Sequence, residues 1–95
     1  MVTASRLREL LDYGCDTGHF TWLIARGTAR AGQQAGTVHR HKAAEYHCVQ
    51  ICIDGRCYKA HRLAWLWMTG EWPTTDLDHR DGNPLNNRWE NLRAA

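Results

Sequence analysis

The amino-acid sequence predicts an α+β fold, and three stretches carry the prediction. Leu7, Leu10 and Leu11 recur at helical spacing near the N-terminus. Strict apolar alternation leads into Asp54-Gly55, and residues 61–69 are apolar nearly all round. In chain order this gives an N-terminal helix, a small antiparallel sheet with a hairpin, a buried central helix and a polar, turn-rich C-terminal segment.

The first helix is expected over residues 4–12, with Thr3 as N-cap and Gly14 as stop. Arg6, Arg8 and Glu9 fall on its outer face, either as solvated charge on a packing helix or as phosphate contacts. Asp16-Thr17-Gly18 marks a turn, and residues 19–24 read as a strand. Residues 26–36 are rich in Gly, Ala and Arg without periodicity, which predicts a basic loop. Such a loop can lie along a nucleic-acid backbone or simply connect two elements.

From Glu45 the pattern alternates: Val49, Ile51 and Ile53 share one face, and Cys48, Gln50 and Cys52 the other. Asp54-Gly55 is a strong two-residue hairpin signal, with residues 56–60 as the returning strand. That turn sets Ile53 opposite Arg56 and Cys52 opposite Cys57. The cysteines form a non-hydrogen-bonded pair close enough for a disulfide, although a reducing cytosol is expected to keep both thiols free. Leu63, Ala64, Trp65, Leu66, Trp67 and Met68 then require a helix buried on most of its surface, ended by Gly70 and kept from resuming by Pro73. Trp65 is assigned to the core. Trp22, Trp72 and Trp89 either add apolar area or face a nucleic acid.

A chain of 95 residues with 43% hydrophobic and 23% charged residues suits one soluble globular domain spanning 1–95, with 1–60 as helix and strands and 61–95 as core helix and C-terminal motif. The net charge is only +2, but it is unevenly placed. Between Arg26 and Arg62 lie Arg30, Arg40, Lys42, Arg56 and Lys59 as further cations, against Glu45 and Asp54 alone. A basic middle of this kind fits a polyanionic partner; a solvated surface is the plainer reading. No stretch approaches the ~20 apolar residues of a membrane span, and no signal-length apolar run opens the chain. The expectation is therefore a cytoplasmic protein, of a bacterium or a phage-infected host cell, with no membrane partner. His39, His41, His47 and His61, with Cys48, Cys52 and Cys57, invite a zinc reading. His39-x-His41 would share a strand face, but no second pair completes a four-ligand set.

Residues 77–93 hold the densest chemistry. Asp78 adjoins His79, and a segment rich in asparagine and turn formers follows, through Asp81, Gly82, Asn83 and Pro84 to Asn91. A carboxylate is a hard oxygen ligand for a divalent cation, and an imidazole can take a proton near neutral pH. Neighbours on a strand point to opposite faces, so convergence of this pair on one site needs a bent backbone.

Asp78-His79, Asp81-Gly82-Asn83, Asn86-Asn87-Arg88 and Asn91-Leu92-Arg93 closely resemble the HNH endonucleases of phages and mobile introns. Ala60-His61-Arg62-Leu63-Ala64-Trp65 and Gly70-Glu71-Trp72-Pro73 resemble the phage subgroup. The resemblance implies a C-terminal ββα-metal motif: a strand with the Asp-His pair, a loop, a strand with the middle Asn, and a helix. The chain reaches Ala95 where that helix is expected to begin, so the motif is expected with its last helix truncated and its second metal ligand missing.

By the same resemblance His79 is the general base, Asn91 holds its ring, and Asp78 binds a divalent cation, Mg²⁺ or Mn²⁺ ahead of Zn²⁺. Arg62, Arg80, Asn83, Asn87, Arg88 and Arg93 are the expected contacts to double-stranded DNA, although the arginines could instead pair with Asp76, Asp81 or Glu90. The implied function is metal-dependent hydrolysis of DNA phosphodiesters. The alternative is a non-catalytic DNA-binding or assembly module on the same scaffold. A homodimer sharing the missing ligand belongs to the expectation as well.

Overall fold

The computed structural model describes residues 1–27, 29–40 and 47–94, with the side chains of His39, Arg40 and His47 left out. Helix α1 spans Ala4–Leu10, and the Thr3 hydroxyl accepts from the Arg6 amide at 3.1 Å, the expected N-cap. The chain then departs from expectation. Leu11 does not extend the helix but starts strand β1, Leu11–Tyr13. Leu11 and Tyr13 are buried and Asp12 is exposed, a period of two that the upstream leucines masked.

β1 pairs antiparallel with β2, Phe20–Trp22, which pairs with β3, Gln34–Ala35. The expected basic loop is therefore tied down at its C-terminal end by strand pairing. It is held at its start as well, because Arg26 donates to Asp54 at 2.7 Å. Arg6 bonds the same carboxylate, and the two guanidiniums hold Asp54 below the usual carboxylate range.

The second sheet is β4, Thr37–Arg40, with β5, His47–Ile53, and β6, Arg56–Lys59, in antiparallel order. Asp54 and Gly55 take φ of 50° and 81°, the positive pair that an Asp-Gly hairpin turn demands. The register is the expected one, with Ile53 opposite Arg56 and Cys52 opposite Cys57. The two thiols expected to be free are joined as a disulfide, because that register already brings their Cβ atoms together. Of the His39-x-His41 pair of the zinc reading, His41 and the His39 side chain lie outside the described residues.

Helix α2, Ala60–Thr69, follows β6 directly and ends at Gly70. Ala60, Leu63, Ala64 and Leu66 are buried, and Thr69 alone on the helix is exposed. The core joins these to Leu7, Leu10 and Leu11, to Tyr13 and Phe20, to Ile51 and Ile53, and to Leu92. The tryptophans divide differently from expectation. Trp67 packs against the core and donates its indole N–H to the Leu11 carbonyl at 3.2 Å. Trp65 is half-buried, 5.3 Å from the Trp89 ring. No helix of the described residues is long and apolar enough to cross a membrane.

The last pair of strands is β7, Leu77–His79, and β8, Leu92–Ala94, with a 3₁₀ turn at Trp89–Asn91 between them. The second strand of the expected motif thus begins after Asn91, and the asparagines lie in the loop and turn ahead of it. The turn between β1 and β2 braces that loop. The Tyr13 hydroxyl donates to the Asn87 carbonyl, and the Trp89 amide donates to the Cys15 carbonyl at 3.1 Å. Gly18 has φ of 78°, and a Cβ there would sit 2.5 Å from both the Arg88 nitrogen and the Asn87 carbonyl carbon. Only glycine permits this approach. We expect Gly18→Ala to cost at least about 1 kcal/mol in a thermal or urea melt, from the φ penalty alone. It should also displace the Asn87 backbone, visible as shifted amide resonances over residues 86–89.

Candidate active site

Asp81 organises the loop that follows β7. One carboxylate oxygen accepts from the Asn83 amide at 2.8 Å and from Asn91 Nδ2 at 3.0 Å, and the other accepts from Asn86 Nδ2 at 2.8 Å. These donors, Asn86 first, hold the Asp81 carboxyl below its ordinary range. Asn91 returns the contact, its Oδ1 accepting from the Asp81 amide at 3.1 Å, and its Nδ2 also donates to the Asn86 carbonyl at 2.8 Å. Asn83 Oδ1 accepts from the Leu85 amide at 3.1 Å. The asparagine density seen in the sequence is thus largely the loop's own scaffold, the local side-chain-to-backbone bonding that Asx residues favour.

The amide that meets the His79 ring is therefore Asn87 rather than Asn91. Asn87 Oδ1 lies 2.8 Å from His79 Nε2, and Asn87 is 3% exposed. A carbonyl oxygen can only accept, so in this pairing Nε2 is the nitrogen that donates to Asn87. Asn91 is also buried but spends its side chain on Asp81 and Asn86.

His79 opens onto a cleft of about 370 Å³ lined also by Cys48, Lys59, His61, Arg62, Asp76, Leu77 and Pro84. Lys59 and Arg62 give it cationic walls. His61 stands beside His79, ring centroids 5.1 Å apart. Burial, reinforced by the neighbouring His79, Lys59 and Arg62, pushes the His61 pKa down to about 4, so its ring is neutral at pH 7. Neither Lys59 nor His61 stands out as a cleft residue in the sequence. Their signal is position, immediately before and within the first turn of α2.

Asp78 does not join His79. Strand alternation turns it away from the cleft, and it pairs across the sheet with Arg93. Arg93 donates through its Nε at 3.0 Å and its terminal nitrogen at 2.7 Å, both to Asp78 Oδ2, and this guanidinium holds the carboxyl below its usual range. Convergence of Asp78, His79 and Asn91 on one opening is thus not what the geometry gives. Among the described residues, no group of three or more His, Cys, Asp or Glu side chains is placed to hold a metal ion. A divalent ion needs several donors around one point. One clamped carboxylate does not fit that need. Of the remaining expected DNA contacts, Arg62 lines the cleft, Arg80 is exposed, and Asn83 and Arg88 line a shallow polar depression with Thr17, His19 and Asn86.

Residues 58–95 match the family model of HNH endonucleases. That match takes in 38 of the 95 residues, less than half of the chain, and a structural likeness accompanies it. The likeness is to a solved structure of DNA binding and cleavage by the HNH homing endonuclease I-HmuI, with a TM-score of 0.58 and 24% identity. It covers 90% of this chain and 46% of that one, so the chain spans less than half of that protein's length. No curated protein matches.

The two asparagines should separate by experiment. Asn91→Ala removes a buried side chain that makes three hydrogen bonds, to Asp81 and Asn86, and should cost about 2–3 kcal/mol in a denaturant melt. Asn87→Ala leaves the His79 N–H without its acceptor and should cost less, about 1–2 kcal/mol, while freeing the imidazole to rotate.

Proposed function

We propose that this chain is a DNA endonuclease in which His79 is the general base, acting through Nδ1. What supports the reading is the bond from His79 Nε2 to Asn87 beside a cleft with cationic walls. A scissile phosphate drawn between Lys59 and Arg62 would stand next to the imidazole. Nδ1 would take a proton from a water as the water oxygen forms its bond to phosphorus and the bond to the 3′ oxygen breaks. The two cations would meet the charge that builds on the phosphoryl oxygens. Binding along Arg62, Arg80, Arg88 and neighbouring cations would be electrostatic and would weaken with salt.

In the family a divalent ion supplies further stabilisation of that charge. Among the described residues no set of donors forms for such an ion. The Arg93–Asp78 clamp favours a second reading, a DNA-binding or assembly module that keeps the scaffold without cutting.

The test is a supercoiled plasmid incubated with the chain in Mg²⁺ or Mn²⁺. The nuclease reading expects nicking that His79→Ala lowers by at least about a hundredfold, the usual scale for loss of a general base. Intact plasmid at high protein concentration, together with a salt-sensitive gel shift, would select the second reading.

A further inference from the structure

We propose that His61 is a positioning residue for His79: its ring fixes the plane of the catalytic imidazole so that Nδ1 faces the cleft. The proposal deepens the nuclease reading above and rests on it. A single hydrogen bond leaves a ring free to turn about the N–H···O axis, so Asn87 by itself fixes one atom of His79 but not its plane. A second contact off that axis removes the freedom. His61 supplies it, with its ring 5.1 Å from that of His79 and inclined by 62°, the edge-to-face arrangement that aromatic rings prefer.

His61 can act as such a stop because it is itself held. It belongs to α2, whose neighbouring Leu63 and Ala64 are completely buried in the core. The imidazole is neutral at pH 7, consistent with its burial beside Lys59 and Arg62. A neutral ring adds no third cation to the cleft and does not compete with Lys59 or Arg62 for a phosphate, nor with them for Asp76. The two contacts on His79 come from opposite ends of the motif, Asn87 from the loop and His61 from the helix. The orientation of the base thus reports whether the loop and the helix are correctly docked.

Two variants of the full chain separate a ring from mere volume. His61→Phe keeps a flat ring without nitrogen, and His61→Leu fills the space without a ring. Two readouts are taken. One is plasmid nicking resolved into kcat and DNA affinity; the other is the solvent-exchange rate of the His79 Nε2 proton, followed by NMR in the DNA-free protein. The expected result is that Phe stays within about twofold of the parent, whereas Leu lowers kcat and speeds proton exchange by about fivefold, the factor an edge-to-face contact is worth, with DNA affinity unchanged. The proposal is overturned if Leu matches the parent in proton exchange, or if Phe falls as far as Leu. The exchange rate needs no cleavage. A protein that does not nick DNA would therefore sink the nuclease reading while the exchange data still decide whether His61 restrains His79.

Discussion

The hydrogen bond between His79 Nε2 and Asn87 Oδ1 is the constraint on which the site depends. It decides which imidazole nitrogen is basic, and it can do so only because Asn87 cannot move. The Asn87 backbone is held by the Tyr13 hydroxyl and lies against Gly18, and the Asp81 network closes the loop on either side. Tyr13 is buried, which pushes its hydroxyl pKa up and keeps it protonated as a donor at any physiological pH. The N-terminal turn, far from the motif in sequence, is thus part of the support for the His79 ring. Residues outside the cleft thus orient the His79 imidazole by fixing its partner, as second contacts commonly orient a ring.

Much of the scaffold was legible because its signals are local. Asp54-Gly55 set the hairpin and, through it, the pairing of Cys52 with Cys57, since a two-residue turn leaves no freedom of register. The apolar run of α2 and its Gly70 stop were equally plain. Leu11 was misread because Leu7, Leu10 and Leu11 satisfy helical spacing, while the strand is specified by its partner Trp22 on β2, a non-local contact. The disulfide could be placed but its redox state could not, since spacing does not carry redox information.

The site was legible in its residue types and less so in its wiring. His79 and its asparagine-rich loop stand out. Which asparagine reaches the ring depends on how the loop curls around Asp81, and no periodicity encodes that. Asn91 lost the role to Asn87 because its own amide is consumed by Asp81 and Asn86. The convergence expected of Asp78 and His79 needs a bent backbone, and on β7 the two side chains take different partners, Arg93 and Asn87. Arg93, expected from the resemblance to meet phosphate, bonds the Asp78 carboxylate across the sheet.

The central claim is that His79 presents Nδ1 as its basic nitrogen because Asn87 holds the proton on Nε2. The direct measurement is ¹⁵N NMR of the imidazole rings, with His79 assigned by its loss in His79→Ala, in the parent chain and in Asn87→Ala. The account predicts a proton on Nε2 of His79 in the parent, protected from exchange in a way that Asn87→Ala abolishes. A proton found on Nδ1, or a parent spectrum that Asn87→Ala leaves unchanged, would contradict it.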